Sequence, residues 1–248
     1  MTTAANTNVQ YSTTETGSTA TFTPVADNIL FNAAYEGTAT FAAYGPYSAT
    51  TVDNLAEIDT RENNDTSDNQ EKNLDYIFAS GATATLANPA VAFVGNSAFN
   101  HKMVQLNLSI TTVRTNDLTQ SVADVASITL GGLIHKGTFN ILDGTVKATG
   151  DVVSDWEIKD LYKTVSGDTY TYSLILLPQT LSGALPLSIT IGGKTYVNKG
   201  GIKPDMTAGG ISLNYSINVQ GNVGITISGC TINNWTQTDK VVDDAFQE

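Results

Sequence analysis

Two histidines, one cysteine, two tryptophans and a run of acids are the residues of this 248-residue chain with chemistry to offer. His101 flanks a strand candidate, and His135 sits beside the turn at Gly137. A nucleophile–histidine–acid triad requires three groups to meet in space, which sequence distance does not forbid. The signatures that announce such a meeting are missing. The chain has no Gly-x-Ser-x-Gly, no His-Glu-x-x-His and no glycine-rich phosphate loop opening a helix. Both histidines therefore read as packing or surface residues. A glycosidase pair drawn from distant strands stays open in principle, but the acids concentrate in one polar segment. The chain reads as non-enzymatic, with no catalytic residue, no cofactor and no cofactor-binding residue assigned.

That segment, residues 52–73, carries Asp53, Glu57, Asp59, Glu62, Asp65, Asp68 and Glu71 among several asparagines, and reads as a long surface loop. Dense oxygen ligands suggest calcium. The stretch Asp59 to Glu71 lacks the Asp-x-Asp-x-Asp-Gly spacing, and no glycine falls between Gly45 and Gly81, so no metal ligand is assigned. Cys230 is alone, which rules out an intrachain disulfide; among strand-like residues it is expected to be a small buried hydrophobe. Trp156, Trp235 and the tyrosines offer faces for sugars. Tyr170, Tyr172 and Tyr215 instead alternate with polar residues and read as core, and Trp235 reads as the seal of a sandwich end.

The elements that position these residues are strands. Ile211, Leu213, Tyr215, Ile217 and Val219 alternate with Ser212, Asn214, Ser216, Asn218 and Gln220, giving one dry and one wet face; they are the expected core strand of the C-terminal half. Val104, Leu106, Leu108 and Ile110 repeat the pattern. Tyr170, Tyr172, Leu174 and Leu176 do so too, but Ile175 and Leu177 point the other way, so that strand is expected to be buried on both faces near its end. Gly192-Gly193 predicts a tight hairpin into Lys194. In the last strand Ile232 is out of step with Val223, Ile225 and Ile227, which predicts a β-bulge near Gly229-Cys230. Towards the front, Val9–Ser12, Ala20–Thr23, Asn28–Asn32 and Thr38–Tyr44 are strand candidates, the last stopped at Gly45-Pro46. Val153 to Tyr162 reads as a short helix or as strand plus loop. Helix is otherwise scarce, and the fold class is all-β.

Composition narrows the function. Twelve basic against 24 acidic residues give a net charge of −12, which repels phosphate backbones and anionic lipid heads. No nucleic-acid partner is expected. Charged residues make up only 15%, which leans towards an exported protein. The apolar run Leu174–Leu177 is far short of the ~20 residues a membrane helix needs. Met1 to Asn8 has neither a charged leader nor an apolar stretch. Either the protein is cytoplasmic or its natural start lies upstream.

Several segments, in order over nearly the whole chain, resemble the Bacteroidales fimbrillin family, the Mfa-like subunits of type V pili. They are Phe41–Tyr47, Asn73–Ala79, Phe99–Leu106, Ile128–Leu133 with Gly137–Phe139, Leu176–Gln179, Ile211–Val219 and Ile225–Trp235. The resemblance implies two tandem transthyretin-like β-sandwich domains, divided as 1–103 and 104–248, the second ending in a short acidic tail. It also implies that the chain starts inside the first domain, without the family's lipoprotein signal and first strands. The implied role is a structural subunit of a cell-surface fimbria or a related adhesin. It would be exported through the outer membrane as a lipoprotein precursor and assembled by β-strand addition. Its partners would be other pilin subunits and host glycans or proteins, with the membrane met only through a lipid anchor on the precursor. Val241, Val242 and Phe246 form a candidate donor segment, weakened by Asp244 between them. The alternative reading is a secreted carbohydrate-binding β-sandwich module.

Overall fold

The computed structural model describes residues 8–15, 19–26, 28–31, 34, 36–114, 118–158, 161–221 and 224–235. Alternation builds nearly all of it. β1 (Tyr11–Ser12) and β2 (Thr23–Pro24) form a small ladder ahead of the main sheets. Then come β3 (Thr38–Gly45), β4 (Leu55–Asp59), a helix α1 (Ser67–Asn73), β5 (Ile77–Thr85) and β6 (Asn100–His101). The C-terminal half begins with β7 (Val104–Val113), β8 (Val125–Leu130), β9 (Leu133–Ile134) and β10 (Lys136–Asn140). It continues with β11 (Val146–Ala148), β12 (Val152–Val153), β13 (Trp156–Ile158), β14 (Lys163–Ser166) and β15 (Thr169–Leu176). The last four strands are β16 (Leu185–Ile191), β17 (Lys194–Ile202), β18 (Ile211–Gln220) and β19 (Gly224–Asn234).

A five-stranded sheet, in the order β14-β15-β7-β18-β19, faces a four-stranded sheet, β13-β8-β16-β17. Among the described strands only β7 and β18 pair parallel, in register from Ile211 opposite Val104 to Gln220 opposite Val113. The dry rows read from the sequence meet between the layers. Leu106, Leu108 and Ile110 pack with Leu174, Leu213, Ile217 and Val219 against Ile128, Leu130, Leu187 and Ile189, all essentially inaccessible to water. Each such side chain contributes about 1.5–3 kcal/mol of burial. The hairpin at Gly192 and Gly193 forms as expected, with φ of 54° and 79°. The bulge forms too. Ser216 pairs with Gly229 and Ile217 with Ile227, so Ser228 is the extra residue.

Ile175 and Leu177 leave this core and enter a second one, so β15 is dry on both faces at its end. That second core is walled on one side by β3-β5-β6 and on the other by β11-β10-β4. Tyr44, Tyr76 and Phe78 reach across it to Ala56, Ile58 and Phe139. Phe139 stacks on Tyr76 at 4.6 Å. The β10–β11 hairpin is thus supplied to the N-terminal sandwich by chain that lies beyond residue 104, with Phe139 opposite Ala56 and Gly137 opposite Ile58.

The acidic segment is more ordered than a surface loop. Leu55, Ala56 and Ile58 form β4, with Ala56 and Ile58 buried while Glu57 faces water. Thr66 caps α1 by accepting from the Asn69 amide, with Asp68 in the first turn and Lys72 in the last, as the helix dipole favours. Val152–Val153 and Trp156–Ile158 are strands, joined by a two-residue bend, rather than helix. Asn28 to Phe31 is not strand. Cys230 is exposed and not a buried hydrophobe, because no facing layer covers that part of β19.

Candidate assembly surface

A sheet edge offers a row of unpaired backbone groups to any passing strand, and proteins blunt such edges with charge, brevity or cover. Most edges here are blunted. β14 carries Lys163, β13 carries Glu157, β17 begins at Lys194, β11 carries Lys147, β4 carries Glu57 and Asp59, and β6 is two residues long. Where β14 stops, side chains take over the β15 edge. Asn64 accepts from the Ile175 amide at 2.8 Å and donates to the Ile175 carbonyl at 3.3 Å. The Gln70 amide donates to the Ser173 carbonyl at 2.8 Å and to Asn64 Oδ1 at 3.1 Å. Both plugs are buried.

Among the described residues, two long edges carry no charge; β3 shows no such plug, and β19 has one only at its start, where Asn198 meets the Ile225 carbonyl. β3 runs for 8 residues, Thr-Ala-Thr-Phe-Ala-Ala-Tyr-Gly, and β19 for 11, from Gly224 to Asn234. The two differ in cover. Along β3, Phe41, Ala43 and Tyr44 are buried, with apolar neighbours on both faces: Phe22, Phe31 and Phe93 on one, Phe139 on the other. Burial raises the Tyr44 phenol well above its ordinary pKa, and its hydroxyl donates to Asn8 Oδ1 at 2.8 Å. An added strand beside β3 would enter a groove lined by core. Along β19, by contrast, residues 228–234 are exposed on both faces.

Each histidine has packing and hydrogen-bond partners. His135 is buried, with Nδ1 2.9 Å from Thr60 Oγ1 and its ring edge-on to Trp156. Burial, and secondarily the Arg61 charge, push its pKa down to about 4. Arg61 in turn pairs with Asp59 and holds that carboxyl below its ordinary range. His101 bonds Asp75 at 2.7 Å and stacks on Trp235. It borders a polar hollow of about 610 Å³ between the two halves, with Lys102, Pro178, Thr207 and Trp235 also on its walls. One face of Trp235 is already taken, and the residue seals the junction of the halves rather than a sandwich end. Among the described residues no group of His, Cys, Asp and Glu is placed to hold a metal.

The expected core strand is β18, between β7 and the edge strand β19: Leu213, Tyr215, Ile217 and Val219 are buried in it, and Ile211 is half-buried. The candidate donor residues Val241, Val242 and Phe246 lie outside the described residues. Sequence reasoning did not single out the β3 and β19 edges. Absence of Asp, Glu, Lys and Arg does not mark them out, since β5, β7, β8, β15, β16 and β18 are equally free of charge.

The model of the fimbrillin-like family matches residues 1–235. The chain belongs to that family. Among solved structures, it is similar to a candidate cell adhesion protein from Bacteroides uniformis, at 22% identity and a TM-score of 0.70. That match covers 94% of this chain and 86% of the other. A second candidate cell adhesion protein, from Bacteroides ovatus, matches at 22% identity and a TM-score of 0.63, covering 88% of this chain and 76% of the other. At such identities these two show a shared fold. No curated protein matches the chain. Fimbrillin-like membership supports a role as a fimbrial or adhesion subunit at the cell surface. It agrees with the all-β architecture.

Proposed function

We propose that this fimbrillin-like chain is a structural subunit of a surface fimbria or adhesin that joins other pilin subunits by β-strand addition at β3. One observation carries the reading: β3 is an 8-residue edge without charge, set between two apolar layers. A strand seated there gains ladder hydrogen bonds and places alternate side chains against both layers. Left empty, buried backbone groups that lack partners cost roughly 1–3 kcal/mol each, which favours assembly. The incoming strand comes from a neighbouring subunit, with Val241, Val242 and Phe246 as the candidate donor. The subunit divides at 103/104, where β6 hands over to β7, with the β10–β11 hairpin on loan across the division. Export as a lipid-anchored precursor would deliver it to the surface. Host glycans or proteins would be met there.

The test is a single charge on the edge. Thr40 is exposed in β3, so Thr40→Lys leaves the core intact while blunting the edge. Purified chain and variant are incubated under assembling conditions and compared by electron microscopy and by denaturant-resistant ladders on gels. The native chain is expected to form oligomers that the variant does not. Equal assembly by both would overturn β3 as the acceptor.

A further inference from the structure

The inner row of β19 changes character along its length. Ile225 is 6% exposed, Ile227 is half-buried, Cys230 is exposed and Ile232 is 58% exposed. The bulge at Ser228 keeps Cys230 opposite Tyr215 and Ile232 opposite Leu213, so both point to the side where the facing layer should be. That layer covers β19 only at its start, where Asn198 donates to the Ile225 carbonyl. From Ser228 to Asn234 the strand has, among the described residues, one neighbouring strand, β18, and every residue is exposed. An uncharged strand of this length, plugged only at its start and with an apolar row in the open, is an unfinished sheet.

We propose that β19 pairs antiparallel with β19 of a second copy of this chain, about a twofold axis through Thr231, so that the two five-stranded sheets become one. Charge selects the occupant. The molecule carries a net charge of −12, yet β19 carries none, so two copies can approach along this strip without bringing charges face to face. Self-complementarity selects the register. Thr231 is the midpoint of the exposed span 228–234. A twofold there sets Cys230 against Ile232 of the second copy and Ile232 against its Cys230. Each uncovered apolar residue thereby gains an apolar cross-strand neighbour. This contact uses a different strand from the β3 groove, so the two proposals stand or fall separately.

Sedimentation equilibrium and light scattering of the full chain are expected to show a monomer–dimer equilibrium. Thr231 is exposed, so Thr231→Lys and Thr231→Glu should each fold normally, as circular dichroism will report. Each places like charges across the axis and should weaken the dimer by about tenfold or more. Mixed in equal amounts, the two variants should recover a heterodimer. In a Cys230→Ser background, Thr231→Cys should cross-link to dimer on mild oxidation, and Val165→Cys on the opposite sheet edge should not. A native chain that stays monomeric overturns the proposal, as does a dimer indifferent to both charges or equal cross-linking at Val165. Capture of a different protein's strand by a monomeric chain also overturns it. Thr40→Lys should leave the dimer unchanged, whatever it does to longer assemblies.

Discussion

The indole of Trp235 lies flat on the imidazole of His101, with 4.1 Å between ring centroids and 5° between planes. This pair ties the end of β19 to β6, the last strand of the chain's first half. The Trp235 amide donates to the Gly210 carbonyl, and Asp75 holds His101 from the other side. Trp235→Ala removes the stack and part of the second core. It is expected to cost about 2 kcal/mol in chemical denaturation, towards the low end for aromatic truncation because the residue is only partly buried. Amide exchange across residues 229–234 should accelerate more than exchange in β7.

Gln70 sits on a short helix yet bonds the Ser173 carbonyl and Asn64. Gln70→Leu keeps the volume and removes the donors. The expected loss is about 1–3 kcal/mol, the penalty for leaving buried acceptors unpaired. Gln70→Glu should be worse, since a carboxylate brings acceptors to acceptors. Thermal unfolding of the two variants against the native chain gives the ranking.

His135 makes stability depend on pH in one direction. Its folded pKa of about 4 lies below the ordinary 6.5. Between those values the unfolded chain binds a proton that the folded chain refuses. Stability from this group is therefore complete above pH 6.5 and is lost as pH falls towards 4. The loss is on the order of 2 kcal/mol. His135→Gln should be less stable at neutral pH but show a flatter profile across that window. A profile as steep as that of the native chain would assign the acid sensitivity to other groups.

Gly137 permits the loan of the β10–β11 hairpin. A Cβ there would lie 2.4 Å from the Lys147 carbonyl oxygen and 2.8 Å from a Leu177 methyl. Gly137→Ala must push the hairpin off β15 or strain it. A destabilisation of about 1–3 kcal/mol is expected from overpacking, visible as a lowered unfolding midpoint.

Alternation was legible wherever one face of a strand is wet and the other dry, as in Ile211–Gln220, where the sequence alone placed the core side chains. The double burial of β15 was legible for a related reason: Ile175 and Leu177 break the alternation with bulk. β4 was not, because Glu57 and Asp59 dominate its composition and Ala56 leaves no mark of burial. α1 has no apolar face at all; what holds it is Gln70, a polar residue whose partner Ser173 is more than 100 positions away. The exposure of Cys230 depends on whether a second layer lies opposite, and a strand's own residues carry no record of that. The lack of charge in β3 and β19 was legible, but interior strands such as β7, β15 and β18 share it. Which strands are edges follows from long-range pairing, and that was not.

Because Phe139 and its hairpin close the first sandwich, the order in which the chain emerges has a physical effect. When residue 103 has just cleared a ribosome or a translocation channel, the aromatic cluster of Tyr44, Tyr76 and Phe78 is still open on one side. It stays open until Ala148 follows. Any early helper that recognises bare aromatic surface therefore has a defined interval, some forty-five residues of growth, in which to act.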